Sequence, residues 1–307
     1  MKKLYYFILL FSLTMFAQYE KKEITINETI TGDLYTPETN KKPNLVILLA
    51  GSGPTDRNGN QVGMANNSLK FLAEELAKNN TAVYTYDKRT VALLKQGKIK
   101  EATSISFNDF ITDAETVLNH FQKEKKYRKI IIAGHSQGSL IGMIAIQKKG
   151  DAFISIAGPA HSIDKTITDQ IEKQAPFLKK EVEDNFKILS EGKTFENKNP
   201  MLESIFNKEV QPFLTSWIHY NPQEEIAKLT IPTLILNGTR DIQVGTKDAE
   251  LLKQAQPKAE LQIITDMNHI LKKVNDDTTE NYATYSNPEL PIMQELVNSI
   301  TVFLKTL

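Results

Sequence analysis

Residues 129–139 read KIIIAGHSQGS. A β-branched apolar run breaks at a glycine, and a serine follows between that glycine and a second one. The next segment, SLIGMIAIQK at 139–148, is apolar and reads as a helix. A serine at a strand-to-helix turn with the spacing G-x-S-x-G is the setting of a nucleophile elbow. There the hydroxyl stands above the sheet edge at a helix N-terminus. Gly134 and Gly138 are the elbow positions, where a side chain would collide with the neighbouring strand and helix. The pentapeptide alone is common and equally compatible with an ordinary turn. Its flanks favour the elbow, with Ser136 as nucleophile.

Outward from the elbow, apolar runs alternate with helical periodicity. Two short alternating strands are expected within 22–37, with the turn near Asn27 and Glu28. NLVILLA (44–50), TAVYTYD (81–87), KIIIAG (129–134) and DAFISIAG (151–158) are continuous runs of the kind found in strands buried on both faces. The segments 68–80 and 107–123 are helical. Residues 159–226 hold charged helix-like stretches cut by Pro176, Pro200 and Pro212, with no convincing strand. Strands return at 233–238 and 260–266, with a helix between them at 246–255 and a helical segment closing the chain. The expectation is an α/β protein: an eight-stranded, mostly parallel sheet with helices on both faces. The core spans 18–158 and 227–307, and 159–226 form a helical cap insertion.

A serine hydroxyl needs a base, and the base needs an orienting acid. In this fold they follow in the order Ser, acid, His. Asp241 stands just past the strand TLILNG, and His269 just past ELQIITD, at the sheet end where such groups converge. His120, His135, His161 and His219 are less well placed, and Asp266 lies too near His269 along the chain. The oxyanion hole is expected from the backbone N–H of Gln137 and that of Ser52, with Gly53 the competing donor. Pro54 has no N–H to give.

The bulk numbers exclude more than they assign. Lys plus Arg equals Asp plus Glu at 37 each, so no electrostatic footprint for nucleic acid exists. No cysteine and no H-x-x-x-H pair are present, so no metal site is expected. GSGPTD lacks the third glycine of a dinucleotide fingerprint, so no cofactor is expected. MKK followed by LYYFILLFSLTMF and AQ reads as a signal peptide over 1–17. It implies export to the periplasm or medium, with no stable membrane insertion after processing; an uncleaved anchor is the alternative. Met15 at the −3 position leaves the cut undefined. Oligomeric state stays open.

LLAGSGPTDRNGN (48–60), YDKR (86–89), AGHSQGS (133–139), SWIHYNP (216–222), IPTLILNGTRDIQV (231–244) and MNHILK (267–272) together resemble secreted bacterial carboxylesterases of the α/β-hydrolase superfamily. The resemblance is to the serine-aminopeptidase-like, monoacylglycerol-lipase-like branch. It runs from about Asn44 to the C-terminus and is weakest in the insertion. It implies a triad of Ser136, Asp241 and His269 and a small-molecule ester substrate. Thr90 stands where the family's YDKRG has glycine. Some members carry a further N-terminal domain, for which the short stretch before Asn44 leaves no room. The resemblance also implies a cap over the site, whose apolar residues Phe177, Leu178, Phe206, Phe213, Leu214 and Trp217 either line the acyl pocket or form the cap's own core. Asp56 and Arg57 either bind a polar substrate group or pair structurally. Ester hydrolysis with short to medium acyl chains is the leading reading. A peptidase or amidase on the same groups is the alternative, and a non-catalytic binding protein the third.

Overall fold

The computed structural model describes residues 19–147 and 149–307. The leader expected over 1–17 lies outside them. Eight strands form one sheet: β1 Tyr19–Asn27, β2 Ile30–Pro37, β3 Asn44–Leu49, β4 Thr81–Tyr86, β5 Ile130–His135, β6 Ala152–Ile156, β7 Thr233–Gly238 and β8 Glu260–Ile264. Their order across the sheet is β1-β2-β4-β3-β5-β6-β7-β8. The β1–β2 and β2–β4 pairings are antiparallel and all others parallel.

The burial pattern explains the composition of each strand. β3 to β7 are buried at every position, which is why they read as unbroken apolar runs. β1, at the edge, has the sequence YEKKEITIN and is largely exposed. Its lysines discourage pairing with another chain along that edge.

Helices cover both faces. Ahead of the elbow come α1 Ser68–Lys78, α2 Arg89–Lys95, α3 Ile99–Thr103 and α4 Phe107–Glu124, and the elbow opens α5 Gln137–Ile146. The segment between β6 and β7 contributes α6 Ile163–Gln174, α7 Lys179–Ser190, α8 Glu203–Phe206, α9 Gln211–Ile218 and α10 Pro222–Ala227. Beyond β7 follow α11 Thr246–Ala255, α12 Thr278–Thr284 and α13 Gln294–Thr306. One core packs α1 and α13 on one side of the sheet through Leu72, Leu76, Leu296 and Ile300. The other packs α4, α5 and α11 through Phe121, Met143 and Leu252, and continues into the helices between β6 and β7 through Val182, Phe206 and Trp217.

The sheet and its long helices match the sequence expectation to within a few residues at each end. The short helices α2, α3 and α12 were not expected. Among the described residues no helix is long and apolar enough to cross a membrane.

Candidate active site

β5 ends at His135, and α5 begins at Gln137. Ser136 between them has φ 53° and ψ −121°, a backbone conformation that a non-glycine residue rarely holds. The surrounding structure enforces it. The Ser136 N–H donates to the Ile156 carbonyl at 2.9 Å, and its carbonyl accepts from the Ser139 N–H at 2.9 Å. A Cβ on Gly134 would lie 2.1 Å from the Gly138 carbonyl oxygen, and one on Gly138 would lie 2.6 Å from the Leu49 carbonyl oxygen. Both glycines therefore have a steric reason, and the turn can be this tight only because they lack side chains.

Asp241 and His269, 28 residues apart, meet at the carboxyl ends of β7 and β8. His269 Nδ1 lies 2.7 Å from Asp241 Oδ2, with both side chains buried. The other carboxylate oxygen accepts the N–H groups of Gln243 and Val244, each at 2.8 Å. An acceptor on Nδ1 keeps the neutral imidazole's proton there and leaves Nε2 with a free lone pair. The loop carrying His269 is anchored from below. Asn268 donates to Asn281 Oδ1 at 3.0 Å and to Thr284 Oγ1 at 2.8 Å, and accepts the Lys272 N–H at 2.9 Å. Gln243 Nε2 donates to the Tyr285 hydroxyl at 2.8 Å. These anchors lie on and just after α12, a polar stretch whose contribution the sequence did not announce. Asp266 instead faces Arg240 and has φ 62° in a turn.

His135 has a structural task beside the elbow. Its Nε2 lies 2.8 Å from the His269 carbonyl oxygen, so that nitrogen must carry the proton and donate. Burial and the neighbouring His269 push its pKa from 6.5 down to about 4. An unfolded histidine takes up a proton near its ordinary pKa, while the folded one resists until about 4. Stability is thus complete above about pH 6.5 and is lost as pH falls toward 4. Between pH 7 and 4.5 the loss from this residue is on the order of 2 kcal/mol. Urea unfolding at the two pH values should show His135→Gln losing on the order of 2 kcal/mol less than the parent. Equal losses would contradict this account of His135.

Two cavities meet at Ser52, and one of them reaches the elbow. One, about 190 Å³, is lined by Ser136, His269, His135, Gly51, Ser52, Gln243 and Tyr285 among others. The second, about 470 Å³, is lined by Ser52, Gly53, Pro54 and Lys88 on the sheet side. Ile105, Phe110, Phe213, Leu214 and Trp217 supply much of its apolar wall. Ser52 lines both. Gly51 sits so close to the elbow that a Cβ there would lie 3.3 Å from Ser136 Cβ. Among the described residues the Ser52 N–H has no hydrogen-bond acceptor. The Gln137 N–H is that of the first residue of α5, where no intrahelical acceptor exists.

The residues left with two readings in the sequence now separate. Phe213, Leu214 and Trp217 line the larger cavity, Leu178 and Phe206 are buried in the core, and Phe177 is exposed. Arg57 donates to Asp87, Asp33 and Glu23, tying the loop after β3 to the β1–β2 hairpin and the end of β4. Asp56 accepts the N–H groups of Asn58 and Asn60, both at 2.9 Å, closing the turn of that loop. Neither lines a cavity beside Ser136. Among the described residues no group of three or more His, Asp or Glu side chains could hold a metal ion.

The model of the serine aminopeptidase (S33) family matches residues 63–209, a span that includes the elbow and ends before Asp241 and His269. The chain is 29% identical over 258 residues to esterase EstD of Thermotoga maritima, covering 82% of this chain and 60% of that protein. It is 28% identical over 160 residues to the probable aminopeptidase YbaC of Bacillus subtilis, covering 51% of this chain and 44% of that one. It thus spans less than two thirds of either relative. Among solved structures, the esterase Pf2001 of Pyrococcus furiosus superposes with a TM-score of 0.57 at 18% identity, over 94% of this chain and 91% of that one. Est1E of Butyrivibrio proteoclasticus does so with 0.57 at 16%, over 94% and 99%. Sheet order, elbow and the superpositions agree: the chain has the α/β-hydrolase fold.

Proposed function

We propose that the protein is a carboxylesterase-type serine hydrolase acting on small-molecule esters of short to medium acyl chain length. Ser136 Oγ attacks the ester carbonyl while His269 Nε2 takes its proton, and Asp241 holds the imidazole in the required tautomer. The oxyanion is received by the N–H groups of Ser52 and Gln137. The imidazolium then protonates the leaving alcohol. Water, deprotonated by His269, cleaves the acyl-serine ester and returns the free acid and enzyme. Residues 159–226 act as a cap whose α9 closes the acyl pocket and limits water.

The observation that carries the ester reading over a peptidase is the lining of the two cavities. An aminopeptidase must neutralise a substrate ammonium, yet among the described residues the only carboxylate lining either cavity is Glu209. The acids of α7 are engaged elsewhere. Glu181 accepts from Asn199, Asp184 pairs with Lys180, and Glu183 lines a separate groove. The larger cavity is walled instead by aromatic and aliphatic groups, which suit an acyl chain. The relatives include both an esterase and a probable aminopeptidase, so names alone do not decide.

The test sets p-nitrophenyl acetate, butyrate and octanoate against aminoacyl p-nitroanilides. The expected result is ester turnover that peaks at butyrate or octanoate, with anilide turnover at least about 100-fold lower in kcat/KM. Anilide turnover of equal efficiency would replace the ester reading by the peptidase one. The basic-apolar start of the chain supports export, which cell fractionation checks; full-length protein confined to the cytoplasm would contradict it.

A further inference from the structure

Lys88 follows β4 and is buried, yet among the described residues no carboxylate pairs with it. Asp87 beside it is held by Arg57 and Lys95, and Asp113 by Arg89. An unpaired buried ammonium is costly, and an apolar residue would suit a wall shared with Phe110 and Trp217 better. Its hydrogen bonds show what it does there. Nζ donates to the Gly51 carbonyl at 2.9 Å and to Gln137 Oε1 at 2.7 Å, and lies 4.3 Å from the centre of the Phe110 ring. Two acceptors and a ring face occupy the three N–H groups, so none is left for a substrate.

The two acceptors belong to the two sides of the oxyanion hole. The Gly51 carbonyl shares a peptide plane with the Ser52 N–H, and in a trans peptide the two point in opposite directions. Gln137 carries the other donor on its backbone. We infer that Lys88 is a positioning residue for the oxyanion hole: its ammonium ties the Gly51–Ser52 peptide to the first residue of α5 and fixes the separation and angle of the two N–H donors. Without that tie the loop after β3 is still anchored through Arg57 and the Ser52 carbonyl, but the Gly51 carbonyl loses the hydrogen bond from Lys88 that sets the tilt of the Gly51–Ser52 peptide. Burial pushes Lys88 down to about 7, and an amine that has lost its proton still offers N–H groups to both oxygens. The tie therefore survives titration. This role rests on the proposed oxyanion hole of Ser52 and Gln137.

The experiment compares the parent with Lys88→Met. A lost positioning contact acts on the transition state, so kcat should fall about 10- to 100-fold while KM changes by less than about 3-fold. Affinity for an alkyl trifluoromethyl ketone, whose adduct with Ser136 places an oxyanion in the hole, should fall by the same factor as kcat/KM. The thermal midpoint should not drop, because a buried charge has been removed. A kcat within about 3-fold of the parent, or a raised KM with kcat unchanged, overturns the inference. Should Lys88→Met fail to fold, Gln137→Leu cuts the tie from the other end: a fall of about 10-fold in kcat supports the inference, and an unchanged kcat overturns it. If the folded parent hydrolyses no ester, the ester reading fails by itself. Lys88 is then judged on the rate at which a fluorophosphonate labels Ser136, slowed in Lys88→Met if the inference holds and unchanged if it does not.

Discussion

Ser136→Ala is expected to lower kcat on p-nitrophenyl butyrate by about 10⁴-fold or more while leaving the fold intact. In the proposed mechanism this hydroxyl forms the acyl bond, so its removal leaves the reaction without a nucleophile. The backbone adds a second signature. Residue 136 sits at φ 53° because the strand-to-helix turn requires it, and alanine is no easier there than serine. Ser136→Gly relieves that strain, so it should be as inactive as the alanine variant yet about 1 kcal/mol more stable. Steady-state kinetics and urea unfolding of both variants check the pair. Ester turnover within about 10-fold of the parent in either variant would remove Ser136 from the reaction.

Asp241→Asn has the second-largest effect, about 10³- to 10⁴-fold in kcat. The side chain keeps its shape, so the loss comes from proton placement. One oxygen of residue 241 is held by the N–H groups of Gln243 and Val244, which can only donate. The amide of an asparagine must therefore turn its oxygen toward them and its NH2 toward His269. Nδ1 then becomes the acceptor, the imidazole proton moves to Nε2, and the nitrogen facing the substrate can no longer take the serine proton. KM should stay close to the parent's, and ¹⁵N chemical shifts of the imidazole should show the exchanged tautomer. A variant retaining more than a tenth of parental kcat would mean that Asp241 does not set the tautomer.

Much of this was legible in the chain because the chemistry is tied to secondary-structure ends. β3 to β7 are buried on both faces, so their sequences are unbroken runs, and the βαβ rhythm fixes a parallel sheet. Ser136 and Asp241 stand just past such runs, β5 and β7, and His269 just past the half-buried β8, which is why the three were legible as candidates. Other features leave no periodic trace. α2 and α3 are one or two turns long, too short for an apolar stripe to show. α12, TTENYAT, is polar because its task is to hold Asn268 through Asn281 and Thr284 rather than to bury a face. Lys88 sits in a YDKR stretch that was read for its resemblance alone. Its role depends on Gly51 and Gln137, 37 residues before it and 49 after, and only the folded sheet brings the three together.

The separation of Arg57 from the site follows the same logic. A charged pair of residues in the loop beside a nucleophile suits a substrate contact or a brace equally well on paper. The brace is decided by three acidic partners, Glu23, Asp33 and Asp87, contributed by β1, β2 and the end of β4. The aromatics of the segment between β6 and β7 divide for a similar reason. α9 turns Phe213 and Trp217 toward the cavity above Ser52, while Phe206 packs against Phe186 and Phe195.

The central claim is that Ser136 becomes covalently acylated. The most direct measurement is intact-protein and peptide mass spectrometry after treatment with an alkyl fluorophosphonate, which phosphonylates a serine only where a base and an oxyanion hole activate it. A single adduct on the peptide containing Ser136, absent from Ser136→Ala and strongly slowed in Asp241→Asn, is the predicted result. No adduct on the folded protein, or an adduct on another residue that persists in Ser136→Ala, would contradict it.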